Sequence, residues 1–194
     1  MSSPSWIYAL VEDQRQRQLL YRFLLKMSVK PHQVQVELSP SGRGSAEQWV
    51  CENFARQLGK CRARNARAAT SMFVMLDADI RRVEERLKTL DESLASAGQS
   101  PLDPDHDPLA RLIPKRNVET WILYLSAKGI VEPAINEGQD YKQARTGDEW
   151  SRLIPAAAEV LHIWTTNVGE RPAKIIDSLR SGLQEIPRAL HEKG

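Results

Sequence analysis

Two aspartates follow an apolar segment near the middle of the chain. Residues 71–79 read Ser-Met-Phe-Val-Met-Leu-Asp-Ala-Asp, so Asp77 and Asp79 stand directly after an uninterrupted apolar run. Such a run is typical of a strand buried on both faces of a sheet. Carboxylate oxygens are the ligands that hard cations prefer, and residues two apart in extended chain point the same way. The segment therefore predicts a Mg²⁺ or Mn²⁺ site held by Asp77 and Asp79.

The same two aspartates also have a structural explanation. Asp79 can cap a helix, predicted over residues 80–94, and Asp77 can be a solvated strand end. An isolated Asp-x-Asp motif does not decide between these interpretations without its structural context.

A third acid, Glu12, occupies an equivalent position after the first predicted strand. The apolar run Trp6–Val11 stops at Glu12 and Asp13, and a predicted amphipathic helix follows over residues 14–27. Glu12 is a candidate partner of the two aspartates, although a carboxylate at a helix start is also favoured by the helix dipole alone.

The strand-turn-helix order recurs along the first two thirds of the chain. Further strands are predicted at residues 34–38, 71–76 and 109–113, and further helices begin at Ser45 and Asn117. This order predicts an α/β fold in which helices flank a mainly parallel, Rossmann-like sheet of about four strands. Helices over residues 148–165 and from Pro172 to residue 183 predict a helical extension. The predicted division is an α/β domain over residues 1–128 and the extension over residues 129–194.

Parallel strands bring the candidate acids to one edge of the sheet. Sites in such sheets form beyond the carboxyl ends of the strands, and neighbouring strands lie about 4.8 Å apart. Glu12, Asp77 and Asp79 are therefore predicted to share one cation. Glu119, in the first turn of the helix that begins at Asn117, is a further candidate ligand, although the helix dipole alone also explains it.

Basic side chains accompany the same junctions. Arg43 lies in a glycine-rich turn before the helix that Ser45 opens, and Lys115 and Arg116 precede Asn117. All three are candidate contacts to substrate phosphates. The turn around Arg43 can also be a simple connection. The basic run over residues 60–67 is either a solvated surface or a track for a phosphate backbone.

Composition excludes some classes of protein. The net charge is +2, so any polyanion must be bound by a local patch instead of a global field. No apolar stretch reaches the roughly 20 residues that a membrane helix needs, and no signal pattern opens the chain, which predicts a cytoplasmic protein. Cys51 and Cys61 are predicted to be reduced, and the acidic segment over residues 97–108 is predicted to be a solvated loop.

The two acidic motifs together resemble those of the Toprim superfamily, the metal-binding α/β domain of topoisomerases, primases and OLD-like nucleases. The resemblance rests on Ala-Leu-Val-Glu12 after the first strand and Val-Met-Leu-Asp77-Ala-Asp79 after a later one, and it covers about the first 125 residues. The family commonly has glycine after the glutamate, where this chain has Asp13.

The resemblance implies a Toprim-like fold, with Glu12 as general acid or base and with Asp77 and Asp79 as ligands of Mg²⁺ or Mn²⁺. It also implies phosphodiester cleavage of nucleic acid, DNA being favoured over RNA, in a bacterial defence or repair system. Because the chain has no P-loop motif, any ATPase would be a separate subunit. An oligomer is compatible with this interpretation.

Two other functions compete with a nuclease. A phosphatase similar to the haloacid dehalogenase group also carries Asp-x-Asp after a strand, but that motif normally follows the first strand and makes its first aspartate a nucleophile. The other possibility is a catalytically silent binding module whose acids cap helices.

Overall fold

The computed structural model describes residues 6–40, 45–129 and 135–190. These residues form four strands and six α-helices, with short 3₁₀ turns at Pro31–Gln33 and Val168–Glu170. In chain order the elements are β1 (Trp6–Val11), α1 (Gln14–Lys26), β2 (Val34–Leu38), α2 (Ala46–Asn65), β3 (Thr70–Met75), α3 (Val83–Ser96), β4 (Leu109–Leu112), α4 (Val118–Ser126), α5 (Gly147–Thr166) and α6 (Asp177–Ala189). The predicted strands all form, each within one residue of its expected bounds.

The four strands make one parallel sheet in the order β2-β1-β3-β4. The chain moves outward from β1 to β2 and then returns to the other side of β1 to form β3. The strand order therefore reverses between β1 and β3, which is the position where open α/β sheets form their binding crevices. The predicted α/β class with a parallel, Rossmann-like sheet is confirmed.

Apolar side chains cover both faces of the sheet because the strand period is two. In β3, Phe73 and Met75 face a core formed with α1, α4, α5 and α6, whereas Met72 and Val74 face a second core formed with α2 and α3. Every residue of β3 is buried, as the unbroken apolar run predicts. Cys61 lies in the second core as a free thiol.

The helix predicted to begin at residue 80 begins instead at Val83. Asp79 has a left-handed backbone, with φ of 53°, and Arg81 N–H donates to the Ala78 carbonyl at 2.9 Å, which closes a turn before the helix. Arg82 occupies the N-cap position, and its backbone N–H donates to the Glu85 carboxylate at 3.0 Å. Arg81 and Arg82 therefore precede α3 and do not lie within it.

The last helix begins at Asp177, five residues after the predicted start at Pro172. The carboxylate of Glu137 accepts the backbone N–H groups of Asp177 at 2.9 Å and of Ser178 at 3.1 Å. These are two of the N–H groups that a helix start leaves without a partner. A residue 40 positions earlier in the chain thus fixes where α6 starts.

The C-terminal helices complete one apolar layer of the fold. Helix α5 packs on α1 and α4, and α6 packs on β4. Trp150, Ile154 and Leu183 belong to the same core as β1 and β3. The division expected at residue 128 stays a prediction. Among the described residues, no helix is long and apolar enough to cross a membrane.

Arg62, in the basic run over residues 60–67, has a structural role. Arg62 donates to both carboxylate oxygens of Asp107, from Nε at 2.8 Å and from Nη2 at 2.6 Å. The same guanidinium also donates to the carbonyls of Ser100 and Pro101. Arg62 therefore holds the acidic loop over residues 97–108 against α2, and Asp107 is not a simply solvated side chain.

Close packing between α6 and α4 leads to a stability prediction. A Cβ atom at Gly182 would lie 2.7 Å from Cη2 of Trp121, which is fully buried. Gly182→Ala should lower the free energy of unfolding by about 1–3 kcal/mol, the usual cost of overpacking. Thermal unfolding followed by circular dichroism measures this loss as a fall in Tm of several degrees.

Gly147→Ala is the matched control, since Gly147 is the first residue of α5 and a Cβ there meets nothing within 4 Å. Its Tm should be unchanged or slightly raised. Equal Tm values for the two variants would contradict the close contact between α6 and Trp121.

Candidate functional site

Glu12 and Asp77 lie side by side where the strand order reverses. Val11, at the end of β1, pairs with Met75, at the end of β3, so the residues that follow emerge at the same edge. The backbone N–H of Asp77 donates to Oε2 of Glu12 at 2.6 Å. The structure thus brings together two of the acids that the sequence predicts to share a site.

Gln16 joins the two acids and was missed by sequence reasoning. Its Nε2 donates to Oδ1 of Asp77 at 2.9 Å and to Oε2 of Glu12 at 3.3 Å, and its Oε1 accepts the backbone N–H of Glu12 at 2.9 Å. Asp13 caps α1 by accepting the Gln16 N–H at 2.9 Å. A signal was available in the sequence, because Gln16 is a polar residue on the same helical stripe as Leu19 and Leu20.

Burial gives Asp77 an unusual electrostatic environment. Asp77 is only 2% exposed, so it is not a solvated strand end. Burial, together with the negative charges of Glu12 and Asp13, raises the pKa of Asp77 well above its ordinary value. Burial also raises the pKa of Glu12, against the opposing effect of the hydrogen bonds from Asp77 and Gln16. The edge of the sheet therefore carries buried negative charge that is only partly compensated.

Lys142 supplies positive charge from a segment that the sequence marks only as polar and rich in turns. Its Nζ lies 3.7 Å from Oδ2 of Asp77, and its side chain is 40% exposed. Burial lowers the pKa of Lys142, but attraction to Asp77, Asp79 and Glu119 outweighs this effect and the pKa is raised overall. Lys142 thus places one positive charge beside Asp77.

Asp140 attaches this segment to the junction between β4 and α4. Its Oδ1 accepts hydrogen bonds from Nδ2 of Asn117 and from the backbone N–H of Lys142, each at 2.8 Å. Asn117 occupies the predicted N-cap position of α4, but its side chain makes no capping hydrogen bond. Its contact with Asp140 fixes the backbone that carries Lys142.

Asp79 lies beyond the end of β3 and is hydrogen-bonded to the segment that follows β4. Its backbone N–H donates to the Arg116 carbonyl at 3.2 Å, and its Oδ2 accepts from Nη2 of Arg86 at 3.3 Å. Because the N-cap of α3 is Arg82, the helix-capping interpretation of Asp79 is wrong. Its half-exposed carboxylate lies close enough to Glu12 to help raise the pKa of that residue.

Glu119 lies in the first turn of α4 and is fully buried. It forms an ion pair with Arg15, whose guanidinium lies 5.6 Å from the centre of the Trp150 ring. No described residue donates a hydrogen bond to its buried Oε2. Its negative charge also raises the pKa of Asp77, so Glu119 belongs to the same electrostatic cluster.

The predicted phosphate contacts fall into two groups. Lys115 and Arg116 lie at the site edge, where Lys115 donates to the Arg81 carbonyl at 2.8 Å and Arg116 lies 3.9 Å from Oδ2 of Asp140. Both side chains form contacts with surface groups that a bound anion can replace. Arg43 lies outside the described residues.

The four acids of this site have the ligand type that a hard cation prefers, but their side chains are only partly arranged to bind one. Glu12, Asp77, Asp79 and Glu119 all offer carboxylate oxygen, the ligand type of Mg²⁺ and Mn²⁺. Within the ranges that the structure describes, no three His, Cys, Asp or Glu side chains are grouped so that they could hold a metal ion. Among the candidate ligands, Oδ2 of Asp79 contacts Arg86 and Glu119 is paired with Arg15.

Comparison of the chain with protein-family models, with curated proteins and with solved structures gives no match. The geometry of this site and the motif resemblance are therefore the grounds for assigning a function.

The buried charge of Asp77 leads to a prediction about stability and pH. A raised pKa means that the folded protein binds the proton more tightly than the unfolded chain does. The free energy of unfolding must then fall as pH rises from the unfolded value, about 3.9, through the raised folded value. Asp77→Asn removes this loss, so near neutral pH and with EDTA present the variant should be more stable by roughly 0.5–3 kcal/mol.

Chemical denaturation between pH 5 and 8 measures this difference. Asp105→Asn, in the exposed loop after α3, is the control and should follow the wild-type pH dependence. A wild type whose stability does not decrease relative to Asp77→Asn as pH rises would contradict the uncompensated burial of Asp77.

Proposed function

We propose that this chain is a divalent-metal-dependent nuclease of Toprim type. The observation that carries the proposal is the contact between Glu12 and Asp77 at the reversal of strand order, where Asp77 is buried with a raised pKa. A buried acid with a perturbed pKa, next to a second acid in the expected crevice of an α/β sheet, is characteristic of a functional site.

The residues divide the chemistry between them. Asp77 and Asp79 would hold Mg²⁺ or Mn²⁺, Asp79 through Oδ1 while its Oδ2 stays on Arg86, and Glu119 is a further candidate ligand. When bound, the metal neutralises charge on the phosphate and activates the attacking oxygen. Glu12 acts as general acid or base, since burial raises its pKa and a catalytic carboxyl group works better when its pKa lies closer to the working pH. Gln16 donates hydrogen bonds to both Glu12 and Asp77 and so holds the two carboxylates next to each other.

Substrate binding is assigned to the basic side chains around the site. Lys115 and Arg116 directly precede the N-cap of α4 and contact phosphates of nucleic acid. DNA is the preferred substrate. Arg43 is proposed for the same role. The motif resemblance also suggests a defence or repair system in which an ATPase is a partner chain.

One competing function has an observation in its favour. Lys142 and Arg86 already place positive charge beside Asp77 and Asp79, as expected for a binding module that needs no metal. The phosphatase alternative is disfavoured because Asp77 is 2% exposed and follows the third strand, whereas a nucleophile must be reached by its substrate.

Two variants test the division of roles. Asp77→Asn removes a metal ligand and should lower the rate of DNA cleavage by more than the roughly 10²–10⁴-fold that general acid–base catalysis contributes. Its Mn²⁺ affinity should fall in parallel. Glu12→Gln keeps the shape of the side chain but removes the proton acceptor, so cleavage should fall while Mn²⁺ still binds through Asp77 and Asp79.

The measurements are cleavage of plasmid, linear DNA and RNA with Mg²⁺ or Mn²⁺, and Mn²⁺ titration calorimetry. Asp105→Asn serves again as control. Wild-type cleavage by either site variant would disprove the assignment. A wild type that binds no Mn²⁺ and cleaves no substrate would favour the binding module.

A separate prediction concerns the phosphate contacts. Lys115→Ala and Arg116→Ala should each weaken DNA binding and reduce the slope of log affinity against log salt by about one, since each removes one neutralised phosphate. Their Tm values should stay close to wild type because both side chains contact surface groups. Lys88→Ala, on the exposed side of α3, should change neither property. A large fall in Tm with an unchanged salt slope would make these residues structural.

A further inference from the structure

Arg86 is a buried cation beside the acidic cluster. It lies on the inner stripe of α3 with Leu90 and Leu94, and only 2% of its surface is exposed. Burying a guanidinium costs free energy unless it is paired, and a well-packed apolar side chain of similar volume often does no worse. Stability alone therefore does not explain an arginine on this otherwise apolar stripe.

Two carboxylates from different segments meet at Arg86. It donates from Nη2 to Oδ2 of Asp79 at 3.3 Å, and it forms an ion pair with Glu47 in the first turn of α2. Glu47 is also paired with Arg81 at 3.1 Å. Arg86 thus connects the turn after β3 to the beginning of α2.

The pairing of Arg86 is incomplete in the described part of the protein. Its buried Nε has no hydrogen-bond partner there. Its positive charge also acts on Glu12, whose pKa it lowers. Arg86 therefore lies within electrostatic reach of both acid groups of the site, Glu12 on one strand end and Asp79 on the other.

The orientation of Asp79 depends on this contact. Asp79 has a left-handed backbone, is half-exposed and follows the strand, so its backbone alone does not fix where its carboxylate points. Outer residues that orient metal ligands typically change metal affinity or activity 10–100-fold when they are replaced.

We propose that Arg86 is a positioning residue of the nuclease site, which sets the orientation of the Asp79 carboxylate and, through Glu47, holds the first turn of α2 at the site. This inference rests on the proposed function. Arg86 contacts neither substrate nor metal in this role, and it acts through Asp79.

The test compares Arg86→Met, Arg86→Lys and the control Lys88→Met. Lys88 is exposed on the same helix, so its replacement removes the same charge without touching the site. Arg86→Met should weaken Mn²⁺ binding and lower kcat for DNA about 10–100-fold, with KM nearly unchanged because substrate contacts remain. Arg86→Lys keeps the charge and should restore part of the loss. Lys88→Met should behave as wild type.

The outcomes separate the two proposals. If wild type cleaves DNA and both Arg86 variants keep its kcat and Mn²⁺ affinity, the positioning role is wrong and the nuclease assignment stands. A lower Tm with an unchanged rate would likewise make Arg86 purely structural. If Arg86→Met does not fold, Arg86→Lys tests the proposal instead. Lysine lacks the planar guanidinium group that contacts Asp79, so kcat for DNA cleavage should still fall below that of wild type. A wild type without cleavage or Mn²⁺ binding overturns the proposed function and this inference with it.

Discussion

The parallel pairing of β1 with β3 is the constraint on which the candidate site depends. Because Val11 pairs with Met75, Glu12 and Asp77 leave the sheet next to each other, although 65 residues separate them in the chain. A shift of one residue in this pairing would turn every side chain of one strand to the other face. The two apolar cores on either side of β3 thus fix the register, and the register fixes the distance between the acids.

This arrangement has an electrostatic cost. Asp77 and Glu119 are buried carboxylates, and each is only partly compensated by a cation from elsewhere in the fold, Lys142 and Arg15 respectively. Breaking one partner of a buried pair is costly, whereas an apolar replacement of both often is not. Buried carboxylates that are only partly compensated do not stabilise the fold. Their burial therefore favours a functional role over a purely structural role in helix capping.

The segment over residues 135–146 links the C-terminal helices to this site. Glu137 caps α6, Asp140 attaches the segment to Asn117, and Lys142 reaches Asp77. The site is therefore built from more than strand ends. Helix α5 contributes in a similar way, because Trp150 lies beside the Arg15 that pairs with Glu119.

Local patterns in the sequence determined the strands and the acids that follow them. Trp6–Val11 and Val34–Leu38 form as predicted, because apolar runs and turn residues act over a few neighbouring positions. Glu12, Asp77 and Asp79 could be selected for the same reason, and Gln16 could have been recognised as a polar residue on an apolar stripe.

Tertiary structure alone decided which partners these acids have. The contacts of Arg15 with Glu119 and of Glu137 with α6 join residues 104 and 40 positions apart, and no local pattern encodes such pairs. For the same reason the starts of α3 and α6 were predicted too early, and Lys142 and Arg86 were overlooked. Their roles arise only when packing brings distant charges into an environment with little water, where each carboxylate needs a partner.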